Sequence, residues 1–101
     1  MKIIETLTDK ITEEIQDAKA YAHLAIETRD AHPDLSRTLY ELSTEELDHM
    51  SRLHKAAEAL IAQYRQDNGE PPAEMLAVYN YMHKRQIDQA AEVITLQAMY
   101  Q

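Results

Sequence analysis

The feature that most constrains this chain is a long helical seam in which two polar residues replace leucines. Stepping three and then four residues, the seam is otherwise leucine and alanine: Leu35, Leu39, Leu42, Leu53, Ala56 and Leu60. Glu46 and His49 fill the two seam positions between Leu42 and Leu53, and their spacing places them side by side on one helical face. Burying an unpaired polar group costs on the order of 2–7 kcal/mol. This Glu-x-x-His pair therefore predicts a metal site.

The same apolar periodicity, together with a single glycine, predicts an all-α chain of three helices. We expect these helices over 3–31, from Pro33 to about Gln66, and from about Ala73 to Met99. The apolar face of the third helix is predicted to contain Leu76, Tyr79, Met82, His83, Ile87, Ala90, Ile94 and Ala98. The short connection before Pro33 makes the first two helices an antiparallel hairpin.

The chain is long enough for one domain only. Within it we expect a metal-binding hairpin over 1–68. A C-terminal helix over 69–101 is expected to pack on the hairpin or on a partner subunit.

A third polar residue, Glu14, lies on the apolar seam of the first helix, between Ile11 and Ala18. At 1.5 Å per residue, Glu14 lies about 27 Å before the bend, and Glu46 and His49 lie roughly 20 and 24 Å after it. The three side chains are therefore predicted to meet at one level. Glu13 is the alternative if the helical phase slips by one residue. Asp17 and Glu45 fall at a similar height and are candidate additional ligands.

One Glu together with one Glu-x-x-His is half of the ligand set of four-helix, carboxylate-bridged two-metal proteins. A two-fold homodimer would supply the other half, with the metal ions between the subunits. Because the chain has no cysteine, the ligands must be oxygen and imidazole, which suit iron or manganese, with zinc as a substitute.

Charge and composition limit which classes of partner and which cellular location we expect for this chain. The net charge of −8 argues against nucleic acid and against an anionic membrane surface. The N-terminus has no signal-peptide core, and no apolar run approaches the length of a membrane span, so we expect a cytoplasmic protein.

Two stretches resemble known metal proteins. The segment from Glu14 to Tyr21 looks like the first metal-binding helix of rubrerythrin and other ferritin-like proteins, where a Glu is followed seven residues later by a Tyr. Pro33-Asp34-Leu35 and Glu45-Glu46-Leu47-Asp48-His49 are similar to the second helix of the encapsulated ferritins. The resemblance covers roughly residues 9 to 60 and implies a di-iron ferroxidase centre, oxidising Fe(II) for iron oxidation or storage.

The resemblance implies that the catalytic metal ligands are Glu14, Glu46 and His49. Encapsulated ferritins are also half-bundles that dimerise, form rings of dimers and enter a protein nanocompartment through a C-terminal tail. Here Ala98-Met99-Tyr100-Gln101 shows no Gly-Ser-Leu-type tail, so a nanocompartment shell stays an open alternative to a free cytoplasmic protein.

Other polar side chains have simpler interpretations. Tyr21 is expected in the core, with its hydroxyl bonded to a polar group such as a ligand carboxylate. His54 is expected at the surface, and His83 is expected to be a satisfied core residue. Two alternatives to the ferroxidase remain: a non-catalytic dimerisation module stapled by metal, and a metal-free helical interaction module.

Overall fold

Three helices make up the fold, and the computed structural model describes residues 1–100. The helices are α1 (Lys2–Thr28), α2 (Pro33–Asn68) and α3 (Ala73–Tyr100). They form a rod of 56 × 18 × 18 Å. The part of the chain that is described contains no strand, which confirms the predicted all-α class.

The ends of the helices follow proline and glycine. The first helix ends at Thr28, earlier than the predicted 31, because the chain turns before Pro33, which begins α2. The second helix continues two residues past Gln66 to Asn68. It ends at Gly69, whose φ of +81° lies in the left-handed region that glycine tolerates.

Small residues bring α1 and α2 into close antiparallel contact. The hydroxyl of Ser43 donates to the carbonyl of Ala18 at 2.7 Å, and the hydroxyl of Ser36 donates to the carbonyl of Ala25. All four side chains are fully buried. Each serine thus adds little bulk to the interface and has its hydroxyl satisfied, so the backbones of the two helices can approach closely.

The buried face of α2 is not the predicted leucine seam. The residues of α2 that are buried are Ser36, Ser43, Ala57 and Ile61. Leu35 is 50% exposed and Leu60 is 37% exposed. The prediction was wrong because two serines, which a hydropathy pattern counts as polar, make the closest contacts with α1. We call the displaced seam the leucine stripe; it contains Leu35, Leu39, Leu42, Leu53, Ala56 and Leu60, all partly or well exposed.

The predicted face of α3 was also partly wrong. Tyr79 and Ala90 are buried as expected, but Ile87 is 51% exposed and Ile94 is 57% exposed. Gln86 is buried instead, and its amide donates to the backbone carbonyl of Thr8 and to the hydroxyl of Thr12, both at 3.1 Å. This pairing rotates α3 away from the orientation that its isoleucines predict.

The third helix runs parallel to α1 and covers one side of the hairpin. At its C-terminal end, the guanidinium of Arg29 donates to the carbonyls of Met99 and Tyr100 at 3.1 and 3.0 Å. These contacts satisfy carbonyls that lack partners at the end of a helix. On the α2 side, the amide of Gln97 donates to the hydroxyl of Ser43 at 2.9 Å. Within the leucine stripe, Leu53 packs against the buried cluster of Ile11, Ile15, Ala18 and Val93.

His54 lies between α2 and α3, which corrects the expectation that it is a surface residue. Its side chain is 21% exposed, and its ring stacks on the ring of His83 with centroids 3.8 Å apart. The Tyr79 hydroxyl lies 3.0 Å from His54 Nδ1. Burial, followed by the negative charge of Glu58, raises the pKa of Tyr79 to about 12.

We predict that Ser43→Ala lowers the free energy of unfolding by about 1 to 3 kcal/mol, because the Gln97 amide loses its buried acceptor and the α1–α2 contact loses a hydrogen bond. Denaturant unfolding followed by circular dichroism measures the change. The matched control is Thr38→Ala on the same helix, whose exposed hydroxyl bonds only to the carbonyl of Asp34. We expect the control to stay within about 0.5 kcal/mol of the wild type; equal losses in both variants would contradict the role given to Ser43.

Above pH 10, we predict a loss of stability that depends on Tyr79. An unfolded tyrosine ionises near pH 10, whereas the buried Tyr79 keeps its proton to about pH 12. The unfolded state therefore binds fewer protons in this range, and stability falls as pH rises from 10 to 12, by at most about 1.4 kcal/mol per pH unit. Tyr79→Phe should flatten the slope of unfolding free energy against pH. Tyr81→Phe, at a 61% exposed position, should keep the wild-type slope.

Candidate metal centre

Glu14 of α1 meets Glu46 and His49 of α2 at one level of the hairpin. The Nδ1 atom of His49 lies 3.4 Å from Oε2 of Glu14 and 3.8 Å from Oε1 of Glu46. One ligand atom from each residue lies within 4.8 Å of the others. The structure thus brings together the three side chains that were predicted as ligands, while their binding of a metal stays a prediction.

The hydrogen bond between Ser43 and Ala18 places the carboxylates of Glu14 and Glu46 at the same level of the hairpin. Ser43 precedes Glu46 by three residues, and Ala18 follows Glu14 by four, so in an antiparallel pair both carboxylates lie about one helical turn from the same hydrogen bond. The i,i+3 spacing then adds His49 on the same face as Glu46. The close α1–α2 contact therefore sets the separation of the candidate ligands.

One carboxylate oxygen in the group is buried without a hydrogen bond in the described part of the chain. Glu14 Oε2 is buried, and within residues 1–100 no donor forms a hydrogen bond with it. A buried oxygen without a partner costs about 1 to 3 kcal/mol. A bound cation would satisfy this atom. The donor set of two carboxylates and one imidazole fits iron, manganese or zinc.

The group is open on one side, and no lysine or arginine within residues 1–100 pairs with its carboxylates. The side chains of Glu14 and Glu46 are 23% and 17% exposed, whereas His49 is 49% exposed, so His49 marks the open side. The nearby cations pair elsewhere: Lys10 with Glu13, Lys19 with Glu92 and Arg52 with Asp48. Within residues 1–100 no lysine or arginine forms an ion pair with Glu14 or Glu46, so the group can attract a cation.

The other predicted candidates lie outside this group. Asp17 and Glu45 are exposed, and their role as additional ligands stays a prediction. Tyr21 is half-buried, and its hydroxyl makes no hydrogen bond in the described part of the chain. Glu13 is exposed and paired with Lys10, so the helical phase points Glu14, and not Glu13, toward α2.

A separate cavity of about 530 Å³ lies between the N-terminal ends of α1 and α3. Its lining is largely apolar and includes Ile4, Met75 and Val78. None of the three candidate ligands contributes to it. The candidate metal group is therefore formed by an open helix edge and not by an enclosed pocket.

A protein-family model described as Rubrerythrin matches residues 5–93. The chain belongs to the rubrerythrin family. This match confirms the resemblance to ferritin-like, rubrerythrin-like proteins. Comparisons with the curated proteins and with the solved structures gave no match.

Membership of the rubrerythrin family agrees with the candidate metal group. The family is one of ferritin-like di-iron proteins, and the matched range includes Glu14, Glu46 and His49. The closer likeness to encapsulated ferritins stays a prediction. None of the helices described in this rubrerythrin-family chain has the length and apolar character that crossing a membrane requires.

We predict that Glu14→Gln weakens metal binding at least about tenfold and leaves the metal-free chain as stable as the wild type or more so. The substitution keeps the shape of the side chain, removes one ligand charge, and replaces a carboxylate whose buried Oε2 atom has no hydrogen-bond donor within residues 1–100. Thermal unfolding with and without Zn²⁺ or Mn²⁺ measures both effects. Glu13→Gln, at the adjacent exposed position, should respond to metal like the wild type. An unchanged metal response in Glu14→Gln would exclude Glu14 as a ligand.

Proposed function

We propose that this chain oxidises Fe(II) to Fe(III) at a di-iron centre shared between two copies, for iron oxidation and storage. Glu14, Glu46 and His49 of each copy would be the ligands. The observation that carries the proposal is the buried Oε2 atom of Glu14, which accepts no hydrogen bond within residues 1–100 and lies 3.4 Å from His49 Nδ1. Membership of the rubrerythrin family supports the same metal and the same class of centre.

The shared centre follows from the small number of donors on one copy. Each hairpin offers one Glu from α1 and one Glu-x-x-His from α2, which is half of the set that holds two metal ions in four-helix carboxylate proteins. Glu46 and His49 occupy positions between Leu42 and Leu53 of the leucine stripe, and the group opens toward solvent through His49. A second copy, packed stripe to stripe across a two-fold axis, would cover the exposed leucines and bring a second set of donors.

The residues of the group suit iron oxidation for electrostatic reasons. When bound, Fe(II) supplies the electrons, and dioxygen or peroxide accepts them. The Glu14 and Glu46 carboxylates stabilise Fe(III) more than Fe(II), because the attraction grows with the charge of the ion. The net charge of −8 attracts Fe(II) toward the chain. The exposed edge of His49 leaves an entry side for the ion and the oxidant.

The setting that we propose is a cytoplasmic homodimer, with a ring of dimers as the larger assembly. Manganese or zinc would occupy the same donors without the same redox chemistry. The resemblance to encapsulated ferritins suggests a second location, inside a protein nanocompartment. The chemistry of the site would be the same there.

An aerobic Fe(II) titration of metal-free protein tests the proposal. We follow the oxidation rate and the bound iron per subunit, with the mass measured by light scattering in the same sample. The expected result is oxidation above the protein-free control, saturating at about one iron per subunit in a dimer or larger assembly, as half of a two-metal set on each copy requires.

The variant that separates the shared site from a single-copy site is Leu42→Arg. A charge on the leucine stripe, one turn from Glu46, should give a monomer that has lost most of its oxidation rate. The control is Ile94→Arg, at an exposed position of α3. We expect this variant to remain a dimer and to oxidise Fe(II) at the wild-type rate. Full activity in a monomeric Leu42→Arg would exclude the shared centre. Background oxidation in the wild type, with zinc bound or nothing bound, would leave a non-catalytic interaction module.

A further inference from the structure

A cluster of three side chains, Glu58, His54 and Tyr79, lies between α2 and α3 and shares no residue with the candidate metal group. His54 Nε2 lies 3.2 Å from Oε1 of Glu58, and His54 Nδ1 lies 3.0 Å from the Tyr79 hydroxyl. The nearby carboxylate of Glu58 favours the tautomer of neutral His54 that carries its hydrogen on Nε2. In that tautomer, Nδ1 accepts a hydrogen bond from the Tyr79 hydroxyl. Both nitrogens of the ring therefore face a polar side chain.

His83 completes the cluster from α3. Its ring is parallel to that of His54 within 2°, at a centroid distance of 3.8 Å. Two parallel imidazoles direct their nitrogen lone pairs side by side and not toward a common ion, so the stack is not arranged as a metal site. A proton on each ring would instead place two like charges in van der Waals contact.

The surroundings of His54 contain few charges. On α2 the facing charged group is Glu58, and on α3 the facing titratable groups are His83 and Tyr79. The buried residues of the third element, α1, are uncharged, whereas Glu5 and Asp9 of α1 and Glu74 of α3 line the cavity that Tyr79 also lines. Glu58 is thus the nearest counter-charge for a protonated His54, and its side chain is 57% exposed.

Burial lowers the pKa of His54, the nearby His83 lowers it further, and Glu58 partly opposes the change. A group whose folded-state pKa is lowered stabilises the fold at pH values above its unfolded pKa, which is about 6.5 for histidine. As pH falls below that value, the unfolded or opened chain binds the proton more readily than the closed chain. The stabilisation from His54 is therefore lost on the acid side.

We propose that the cluster of Glu58, His54, Tyr79 and His83 is a proton-binding site through which acidification releases the N-terminal segment of α3 (residues 73–83) from α2. Protonated His54 donates from both nitrogens, so the Tyr79 hydroxyl can no longer donate to Nδ1. The hydroxyl is then left with Glu58, which His54 Nε2 also faces, as its acceptor, and the stacked ring of His83 faces a cation. Both effects favour an opened arrangement in which the two histidines are hydrated.

The release is confined to one end of α3 because the other end is held by groups that do not titrate in acid. Gln86 bonds to α1 through Thr8 and Thr12, and Gln97 bonds to Ser43 of α2. Near the C-terminal end, the rings of Tyr40 and Tyr100 stack with centroids 4.6 Å apart. The 73–83 segment, in contrast, is attached to α2 through Tyr79 and the two histidines, above the apolar cluster of Ile4, Ala57, Ile61 and Tyr79.

Amide hydrogen exchange of the full chain between pH 7.5 and 5.0 tests the proposal. The measurement is made in EDTA, so that proton competition at the candidate metal ligands does not contribute, and rates are converted to protection factors at each pH. If opening is coupled to uptake of one proton, the opening constant rises by up to about tenfold per pH unit. We expect protection in 73–83 to fall in acid by this amount, while protection in 86–98 stays constant.

Two variants and one control show which histidine causes the loss of protection in acid. His54→Gln keeps an acceptor for Tyr79 and a donor for Glu58 but does not titrate, so its 73–83 protection should be independent of pH. His83→Phe keeps an aromatic stack without a second charge and should show a smaller acid response; it decides the question if His54→Gln does not fold. His23→Gln, at an exposed position on α1, should respond like the wild type. Constant protection in the wild type, or equal acid loss in the wild type and the variants, overturns the proposal.

Discussion

The close contact between α1 and α2 is the constraint on which the rest of the structure depends. Ser43 and Ser36 are small enough to bring two backbones together and polar enough to tie them at a fixed register, since each hydroxyl donates to one carbonyl of α1. A larger apolar residue at either position would separate the helices and free the register. That register decides that Glu14 lies opposite Glu46 and His49 and not a turn away.

Sequence patterns predicted the elements of this fold better than the faces of its helices. Helix ends follow from local properties, such as the restricted backbone at Pro33 and the left-handed conformation at Gly69, and these need no partner to be recognised. The face that a helix buries depends on what it packs against. Gln86 and Ser43 are buried because specific acceptors on α1 satisfy them, and no single-helix pattern contains that information.

The two side-chain clusters also differ in how far the sequence predicts them. Glu46 and His49 are adjacent on any helix, and the level of Glu14 follows from the rise of a short-turned hairpin, so the geometry of these three was predictable. The contact between His54 and His83 was not, because the two residues lie on different helices whose rotation the sequence does not set. The two groups share no residue: one joins α1 to α2, and the other joins α2 to α3.

The metal binding proposed at Glu14 would affect how long each copy of the chain lasts. An ion that binds the folded state and not the unfolded chain increases the unfolding free energy with the logarithm of its free concentration. Proteases that degrade opened chains would then remove metal-starved copies faster than loaded ones. The abundance of this protein would thereby follow the metal supply of the cell, with no sensor other than a carboxylate oxygen that lacks a hydrogen-bond donor.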